Sequence, residues 1–220
     1  MRVTELLQSA YYTFNQSPDN ERFNHDFLMS LNEGLNEFAN LRKWGCLRTK
    51  ANVVTAEDTE TASLPSNFGT PYNVRGAHRI TSPAGSADAI VTIVAPDQQY
   101  ARHYTTETGT PERAWIMGTS IYFSPIPDAA YTISFQYYKR PAEITSNSGD
   151  ISDPPARYHE LIKVLTFRRL QVLGYTADRE IAISDTERNR LYAMMIKDDV
   201  ATYGGMTVAL YDDSYTNEVG

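Results

Sequence analysis

Helical periodicity at both ends of the chain, around a middle of short alternating runs, restricts the fold more than any other feature. Apolar residues recur at spacings of three and four from about His25 to Lys43, after a shorter stretch with Val3 and Leu7 on its apolar side. The same spacing returns over about 156–173 and 177–200. Each helical pair has an apolar face that needs a partner. The sequence therefore predicts one bundle, formed by the first pair packing against the last.

The middle of the chain, from Leu47 to about Arg140, has the pattern of antiparallel strands. Proline, glycine and asparagine separate short runs in which apolar and polar residues alternate. The clearest strand is Tyr131–Tyr137, and Gly118-Thr119 is expected to join two further strands as a tight hairpin. Ile90–Val94 is predicted to be a strand buried on both faces.

These patterns predict an α+β fold. It is a helical bundle formed by N- and C-terminal helix pairs, with an inserted antiparallel β region and an extended C-terminal tail. Asn24 is the expected N-cap of the second helix, and Gly45 its expected stop. The predicted boundaries are 1–45 and 156–200 for the two halves of the bundle, 46–155 for the β-rich insertion and linker, and 201–220 for the tail.

The tail differs from the rest of the chain in composition. Gly204-Gly205 breaks the last helix, and five acidic residues occur from Asp198 onward with no Lys or Arg, in a chain of net charge −7. Met206–Tyr211 alternates as a strand does, which a free tail would not require. Tyrosines are enriched where surfaces meet, because they bury area and keep a polar group. The tail residues predicted to bind another chain are Tyr203, Met206, Val208, Leu210, Tyr211 and Tyr215.

The late helices carry a small basic surplus. Between Arg157 and Lys197 there are eight Lys and Arg residues against five acids. A basic helix face can hold phosphates or pair with the acidic tail of a neighbouring copy. So small a surplus favours pairing over DNA contact. The predicted inter-subunit charge contacts are Arg168, Arg169, Arg179, Arg188 and Arg190.

The sequence contains no motif for catalysis, metal binding or a cofactor. Its four histidines and Cys46 lie in no nucleophile frame, and it has no His-x-x-x-His or Cys-x-x-Cys pair and no Gly-rich phosphate loop. A single cysteine excludes an internal disulfide and suits assembly in a reducing cytoplasm. No window approaches the ~20 apolar residues that a membrane span needs. We therefore expect no enzyme activity, no cofactor, no metal and no membrane partner.

Several stretches carry a family resemblance: Asn24–Leu41, Leu64–Phe68, Gly109–Pro111 and, most specifically, Ile121–Tyr131 with Tyr137–Pro141. These stretches, and the order helical pair, β insertion, helical pair, tail, resemble the head-to-tail adaptor (connector) proteins of tailed bacteriophages, especially short-tailed ones. Each stretch is a structural signature and none is a catalytic motif.

The resemblance implies a virion structural protein at the head–tail junction, assembled in the host cytoplasm. It implies a homo-oligomeric ring, a dodecamer, that binds the portal protein, extends the DNA channel and offers a platform to tail tube, nozzle or fibre proteins. Double-stranded DNA would pass through it non-specifically during genome ejection. The tail would bind the portal or an adjacent subunit.

Two alternatives stay open at this stage. A virion-associated cell-wall hydrolase could draw two carboxylates from Glu107, Glu112 and Asp128. A tail-completion or tail-tube protein would share the structural character of an adaptor.

Overall fold

The structure, a computed structural model, describes residues 2–74, 76–83, 85, 88–95, 107–176 and 185–203. The chain divides into two compact units. One combines Met1–Cys46 with Glu143–Gly220, and the other is Leu47–Ala142. The first is helical in its described residues and the second is built of strands, so the predicted α+β class is confirmed.

The helical unit contains four helices in its described residues: α1 Val3–Phe14, α2 Glu21–Leu41, α3 His159–Val172 and α4 Asp185–Tyr203. Aromatic rings join the elements, because Phe14 of α1 meets Phe167 of α3 edge-on, with ring centroids 5.4 Å apart. Phe38 of α2 stacks on Trp44 at 4.6 Å, and both rings are fully buried. The predicted packing of the first helical pair against the later helices is therefore present.

Helices α2 and α3 approach each other closely at Gly34. A Cβ atom at Gly34 would lie 3.1 Å from Oγ1 of Thr166 and 3.3 Å from its backbone nitrogen. Thr166 is fully buried, and its hydroxyl donates to the carbonyl of Ile162 at 2.8 Å. The absence of a side chain at Gly34 is what lets the two helix backbones approach this closely.

Helix α2 begins earlier than its apolar pattern indicates. Asn20 is the N-cap, and its side-chain oxygen accepts a hydrogen bond from the N–H of Phe23 at 3.1 Å. The prediction of Asn24 as the cap is wrong, because the turn after Ser17 closes at Asn20, whose N–H donates to the Ser17 carbonyl at 3.0 Å. Asn24 lies inside the helix and accepts a hydrogen bond from the hydroxyl of Tyr11.

Residues 143–155, expected to include a polar linker, belong to the helical unit. The side chain of Asn32 on α2 donates to the Ile144 carbonyl at 2.9 Å and accepts from the Ile144 N–H at 2.8 Å. The N–H of Val3 donates to the Gly149 carbonyl at 3.0 Å. This segment is thus tied to both α1 and α2.

The β unit holds ten strands in its described residues, in three sheets. The strands are β1 Arg48–Val54, β2 Thr61–Ser63, β3 Phe68–Pro71, β4 Arg79–Ser82, β5 Thr92–Ile93, β6 Thr108–Gly109, β7 Arg113–Met117, β8 Ser120–Ser124, β9 Ile126–Pro127 and β10 Thr132–Lys139. One sheet has the order β1-β10-β3 with β4 also paired to β10, the second has the order β2-β8-β7-β5, and the third is β6-β9.

The core of this unit follows the alternation seen in the sequence. Ile133, Phe135 and Tyr137 of β10 are all buried, as the period of two requires. Strands β7 and β8 pair antiparallel as the predicted hairpin. Gly118 in its turn has φ +62°, a left-handed conformation that favours glycine.

The sheets differ from the sequence pattern in two details. Strand β5 is only two residues long and pairs in parallel with β7, and β6 pairs in parallel with β9, so the mainly antiparallel region contains two short parallel pairs among its described strands. Ile90 is 39% exposed, so Ile90–Val94 is not buried on both faces. Val91 is buried between the exposed Ile90 and Thr92, so alternate residues of this segment face the core, as on a strand with one buried face.

Strand β1 ends its sheet. It pairs with β10 along its full length, from Arg48 opposite Tyr138 to Val54 opposite Thr132. Among the residues that the structure describes, no strand pairs with its other side. Every second residue, beginning at Arg48, is exposed, whereas Val53 is buried.

Candidate functional site

The end of α4, the last described element of the chain, is held by a compact group of polar and aromatic side chains. We call this group the tail base. It consists of Arg42, Gly45, Arg157, Tyr158, Asp198, Asp199 and Tyr203. All seven belong to the helical unit.

Asp199 is the centre of the tail base. Its side chain is 1% exposed, and both carboxylate oxygens accept the N–H of Gly45, at 3.0 and 3.1 Å. The Tyr158 hydroxyl donates to it at 3.1 Å, and the Arg42 guanidinium lies 3.7 Å away. A buried carboxylate is tolerated only with partners of this kind, since an uncompensated one costs several kcal/mol, ~3 or more. These contacts tie α4 to the end of α2 and the start of α3.

Arg157 holds the last turn of α4 from the outside. Its guanidinium donates to Asp198 at 3.0 Å, to the Thr202 hydroxyl at 2.9 Å and to the Tyr203 hydroxyl at 3.3 Å. The same group lies 5.6 Å from the centre of the Tyr203 ring. One arginine thus contacts three residues across the final turn before the tail.

Tyr203 packs against Gly45 so closely that no side chain fits there. A Cβ atom at Gly45 would lie 2.4 Å from Cβ and 2.7 Å from Cγ of Tyr203. These atoms are near the backbone of α4 and cannot swing away. Gly45 therefore sets how near the last turn of α4 comes to the segment after α2.

The electrostatics of the tail base suit anchoring rather than reaction. Burial and then the charge of Asp199 raise the pKa of Cys46 to about 12. Burial and the same charge raise the pKa of Tyr158. Cys46 is therefore a thiol at neutral pH, and a thiol is a weak nucleophile.

The other candidate catalytic groups are not brought together. His78 is 2% exposed, its ring stacks on Phe135 at 4.6 Å, and its Nδ1 accepts the N–H of Gln136 at 3.2 Å. Burial lowers its pKa to about 4, so it stays neutral. Burial also lowers the pKa of His159, whose Nε2 lies 2.9 Å from the Pro154 carbonyl oxygen. Both histidines are structural side chains in these surroundings.

The carboxylates considered for hydrolysis have ordinary surroundings in the structure. Asp128 accepts a hydrogen bond from the hydroxyl of Tyr131 at 2.5 Å, and Glu112 is exposed. Within the described part of the chain, no three His, Cys, Asp or Glu side chains cluster as metal ligands do. In that part, too, no helix is long and apolar enough to span a membrane.

The predicted tail contacts fall in two places. Tyr203 lies in the last turn of α4, against Arg157 and Gly45 of the same chain, because the helix runs to residue 203 instead of ending near 200. The other predicted contact residues, Met206, Val208, Leu210, Tyr211 and Tyr215, lie outside the described residues.

Those of the predicted inter-subunit arginines that the structure describes have partners within the chain. Arg169 binds two glutamates of α2, Glu37 at 3.0 Å and Glu33 at 3.6 Å. Arg190 binds Glu187, three residues earlier on α4, at 2.6 Å. Arg188 donates to Asn189 at 3.3 Å, Arg168 lies half-buried on α3, and Arg179 is outside the described residues.

The sequence pattern did not lead to a prediction for Asp199, although its position in the last helix is informative. It follows the buried Met195 by four residues, so it occupies a position on the buried side of α4. An acid on an otherwise buried side of a helix indicates a paired, functional or anchoring carboxylate. As one of five acids near the C-terminal end, Asp199 was interpreted only as part of an acidic segment, and its place on the helix was not considered.

The described part of the chain is thus an α+β protein with an inserted β unit, and its compact polar cluster fixes the last turn of α4. The sequence profile of the SU10 adaptor protein family matches residues 1–209, and the chain belongs to this family. The resemblance to phage head–tail adaptors is confirmed. The family is one of phage structural proteins, which places the chain among virion components that meet portal and tail proteins. No curated protein sequence matches the chain.

Proposed function

We propose that this protein forms a homo-oligomeric ring, a dodecamer, between the portal and the tail of a short-tailed phage. The ring extends the DNA channel used in genome ejection and is the platform for tail tube, nozzle or fibre proteins. The match of the adaptor family over residues 1–209 carries this proposal. The particle would be assembled in the host cytoplasm, where a lone thiol such as Cys46 stays reduced.

In this proposal the tail base is the mechanical support of attachment. Asp199 and Arg157 fix the last turn of α4, so the segment that begins at residue 204 leaves the body at a defined point. That segment is proposed to bind the portal or an adjacent subunit through Met206, Val208, Leu210, Tyr211 and Tyr215. Tyr203 contributes by orienting the segment from inside α4.

The arginines are retained as proposed contacts between subunits. Arg169 and Arg190 already bind carboxylates of their own chain, so they would share or exchange those partners on assembly. Exposed pairs of this kind contribute about 0.2–1 kcal/mol each, which suits reversible joining of copies.

The charge of the chain suits a channel that DNA crosses without being held. Phosphate binding by Lys and Arg is strong and depends on salt, so many such contacts would retard transport. The chain has 20 Lys and Arg against 27 acidic residues. We therefore expect weak, non-specific contact with double-stranded DNA.

Deletion of residues 204–220 tests the role of the tail. We expect the shortened chain to keep its helical content and melting temperature while losing attachment to purified portal rings. The matched control replaces residues 204–220 with a Gly/Ser segment of equal length, which separates the tail's sequence from its bulk. Unchanged attachment of either variant would reject the proposed role.

Imaging of the whole particle tests the proposal as a whole. A ring of this protein should lie directly under the portal, in twelve copies. Density inside the tail tube would favour a tail-completion protein instead. Clearing of peptidoglycan by the purified chain, lost in Asp128→Asn or Glu112→Gln, would favour a hydrolase.

A further inference from the structure

The sheet that contains β1 and β10 has one face in the core of its unit and the other face open to solvent. Residues directly opposite each other in an antiparallel pair lie on the same face of the sheet. The open face therefore runs in four facing pairs, from Arg48 and Tyr138 at one end to Val54 and Thr132 at the other. All eight of these residues are exposed or half-buried, whereas Phe135, which points to the other side, is fully buried. We call these four pairs the β1 face.

The β1 face carries positive charge and no acidic residue. Arg48 and Lys50 are both exposed and lie two residues apart on the same side of β1. No salt bridge to either occurs in the part of the chain that the structure describes. Arg79 of β4 is paired beside Ser134, and its guanidinium lies 3.7 Å from Asp88. Two cations of the face thus have no matching charge among the described residues, which favours an anionic partner.

The side chains beside these cations are hydrogen-bond donors of the kinds that hold phosphate oxygens. Gln136 faces Lys50, and Asn52 faces Ser134, so two amides and a hydroxyl adjoin the charged end. Side chains of these types, together with Arg and Lys, make most contacts of proteins to the nucleic-acid backbone. Val54 is the only aliphatic residue of the face, which therefore lacks the apolar centre of a protein interface. A phosphodiester backbone fits this surface better than an acidic protein does.

The tyrosines at the charged end favour a double strand over a single strand. The Arg48 guanidinium lies 5.0 Å from the centre of the Tyr72 ring and donates to its hydroxyl at 3.2 Å. The Tyr72 ring also meets the Tyr138 ring edge-on, with centroids 5.8 Å apart. Proteins that bind single strands present open aromatic rings on which bases stack. Because these rings are engaged with Arg48 and with each other, they hold the cation in place and do not form such a platform.

We propose that the β1 face contacts the phosphate backbone of double-stranded DNA through Arg48 and Lys50, without reading the base sequence. This deepens the proposed function and rests on it, because a ring around the DNA channel brings the duplex to the protein. Each phosphate neutralised releases about 0.9 counterion, so two cations give a slope of about −2 for log K against log salt. The affinity then falls about tenfold between about 50 and 200 mM salt. Such a contact can guide the duplex without holding it.

Binding of a short fluorescent duplex to the full-length chain, measured by anisotropy over this salt range, tests the proposal. Arg48→Gln with Lys50→Gln should lower the affinity at least about tenfold at low salt and bring the slope close to zero. The matched control, Arg22→Gln with Arg113→Gln, removes the same charge from exposed positions outside the β1 face and should keep the slope. Arg48→Lys with Lys50→Arg should keep both the affinity and the slope.

NMR spectroscopy of the isotope-labelled chain locates the contact, because the duplex should shift the backbone amide signals of β1 and β10. An equal loss of affinity in the control variant would assign binding to the overall charge and overturn the inference. Lack of binding, or tighter binding of a single-stranded oligonucleotide, would also overturn it. A polyglutamate peptide that shifts the same signals as strongly would make the face a site for acidic proteins instead.

The inference and the proposed function fail in different experiments. Every negative result of the binding assay leaves the proposed ring standing, since particle imaging tests the ring separately. Imaging that places the protein away from the path of the DNA would overturn the proposed function, even where the isolated chain binds the duplex through the β1 face.

Discussion

Replacing Asp199 by Asn should weaken the tail base, whereas the same change at the neighbouring Asp198 should have little effect. The Asn keeps one acceptor oxygen but loses the charge that faces Arg42 at 3.7 Å and the second oxygen bound by the Gly45 N–H. Removing one partner of a buried charged pair costs about 3–5 kcal/mol, and the retained acceptor reduces this to about 2–3 kcal/mol. The Asp198 side chain is 48% exposed, so its pair with Arg157 contributes about 1 kcal/mol or less.

Cys46 provides a second readout at the same place. Its pKa of about 12 leaves only about one thiol in ten thousand ionised at pH 8, about a thousandfold fewer than for an ordinary cysteine. Burial is the larger cause of the raised pKa, and Asp199→Asn removes the negative charge that adds to it and loosens the packing around the thiol. We expect alkylation of Cys46 by iodoacetamide to accelerate at least about tenfold, as followed by mass spectrometry, with no such change in Asp198→Asn.

Comparison of Asp199→Asn with Asp198→Asn tests whether the buried carboxylate stabilises the tail base. Urea unfolding should show a lower midpoint for Asp199→Asn alone. Equal destabilisation by both variants would mean that the buried carboxylate contributes no more than a surface pair. An unchanged alkylation rate in Asp199→Asn would show that Asp199 does not control the environment of Cys46.

Three further predictions concern single positions and pH. Gly45→Ala should displace Tyr203 and increase protease cleavage near residue 203, because the new Cβ would lie 2.4 Å from the tyrosine Cβ; an intact, equally resistant α4 would contradict this. Gly34→Val should lower the free energy of unfolding by about 1–3 kcal/mol by forcing α2 from Thr166, whereas a thermal melt equal to that of the wild type would disprove the close approach. His78 binds a proton below pH 6.5 when unfolded but only below about 4 when folded, so stability is complete above pH 6.5 and about 3 kcal/mol is lost as the pH falls to 4. His78→Asn should remove most of that slope in urea titrations, and an unaltered slope would assign it to other groups.

Local patterns in the sequence were enough to predict the elements with strong periodicity. Strand β10 and the β7–β8 hairpin were predicted because alternation and a turn glycine are local signals. The parallel pairing of β5 was not, since a two-residue strand carries no period and its partner is chosen by the rest of the sheet. The cap at Asn20 was missed because Asn24 satisfies the same local rule.

The tail base could be predicted only in part. The acidic end and the break after the last helix are visible in composition, and both pointed to the departing tail. The convergence of Arg42, Tyr158 and Asp199 depends on three helix ends meeting in space, which no sequence spacing expresses. Burial is likewise not fixed by spacing alone. Val172 fits the apolar spacing of the sequence, yet its side chain is 77% exposed in the structure.

The split of the helical unit has a consequence for synthesis on the ribosome. α1 and α2 are translated before Leu47–Ala142, whereas α3, which packs against α2 at Gly34, follows only after that segment. At about 5–20 residues per second, that delay is roughly 5–20 s. During this interval the β unit can fold as an uninterrupted segment. The apolar face of α2 meanwhile stays exposed to solvent. A chaperone that binds apolar helix surfaces would have access to the chain in that window, until α3 covers α2.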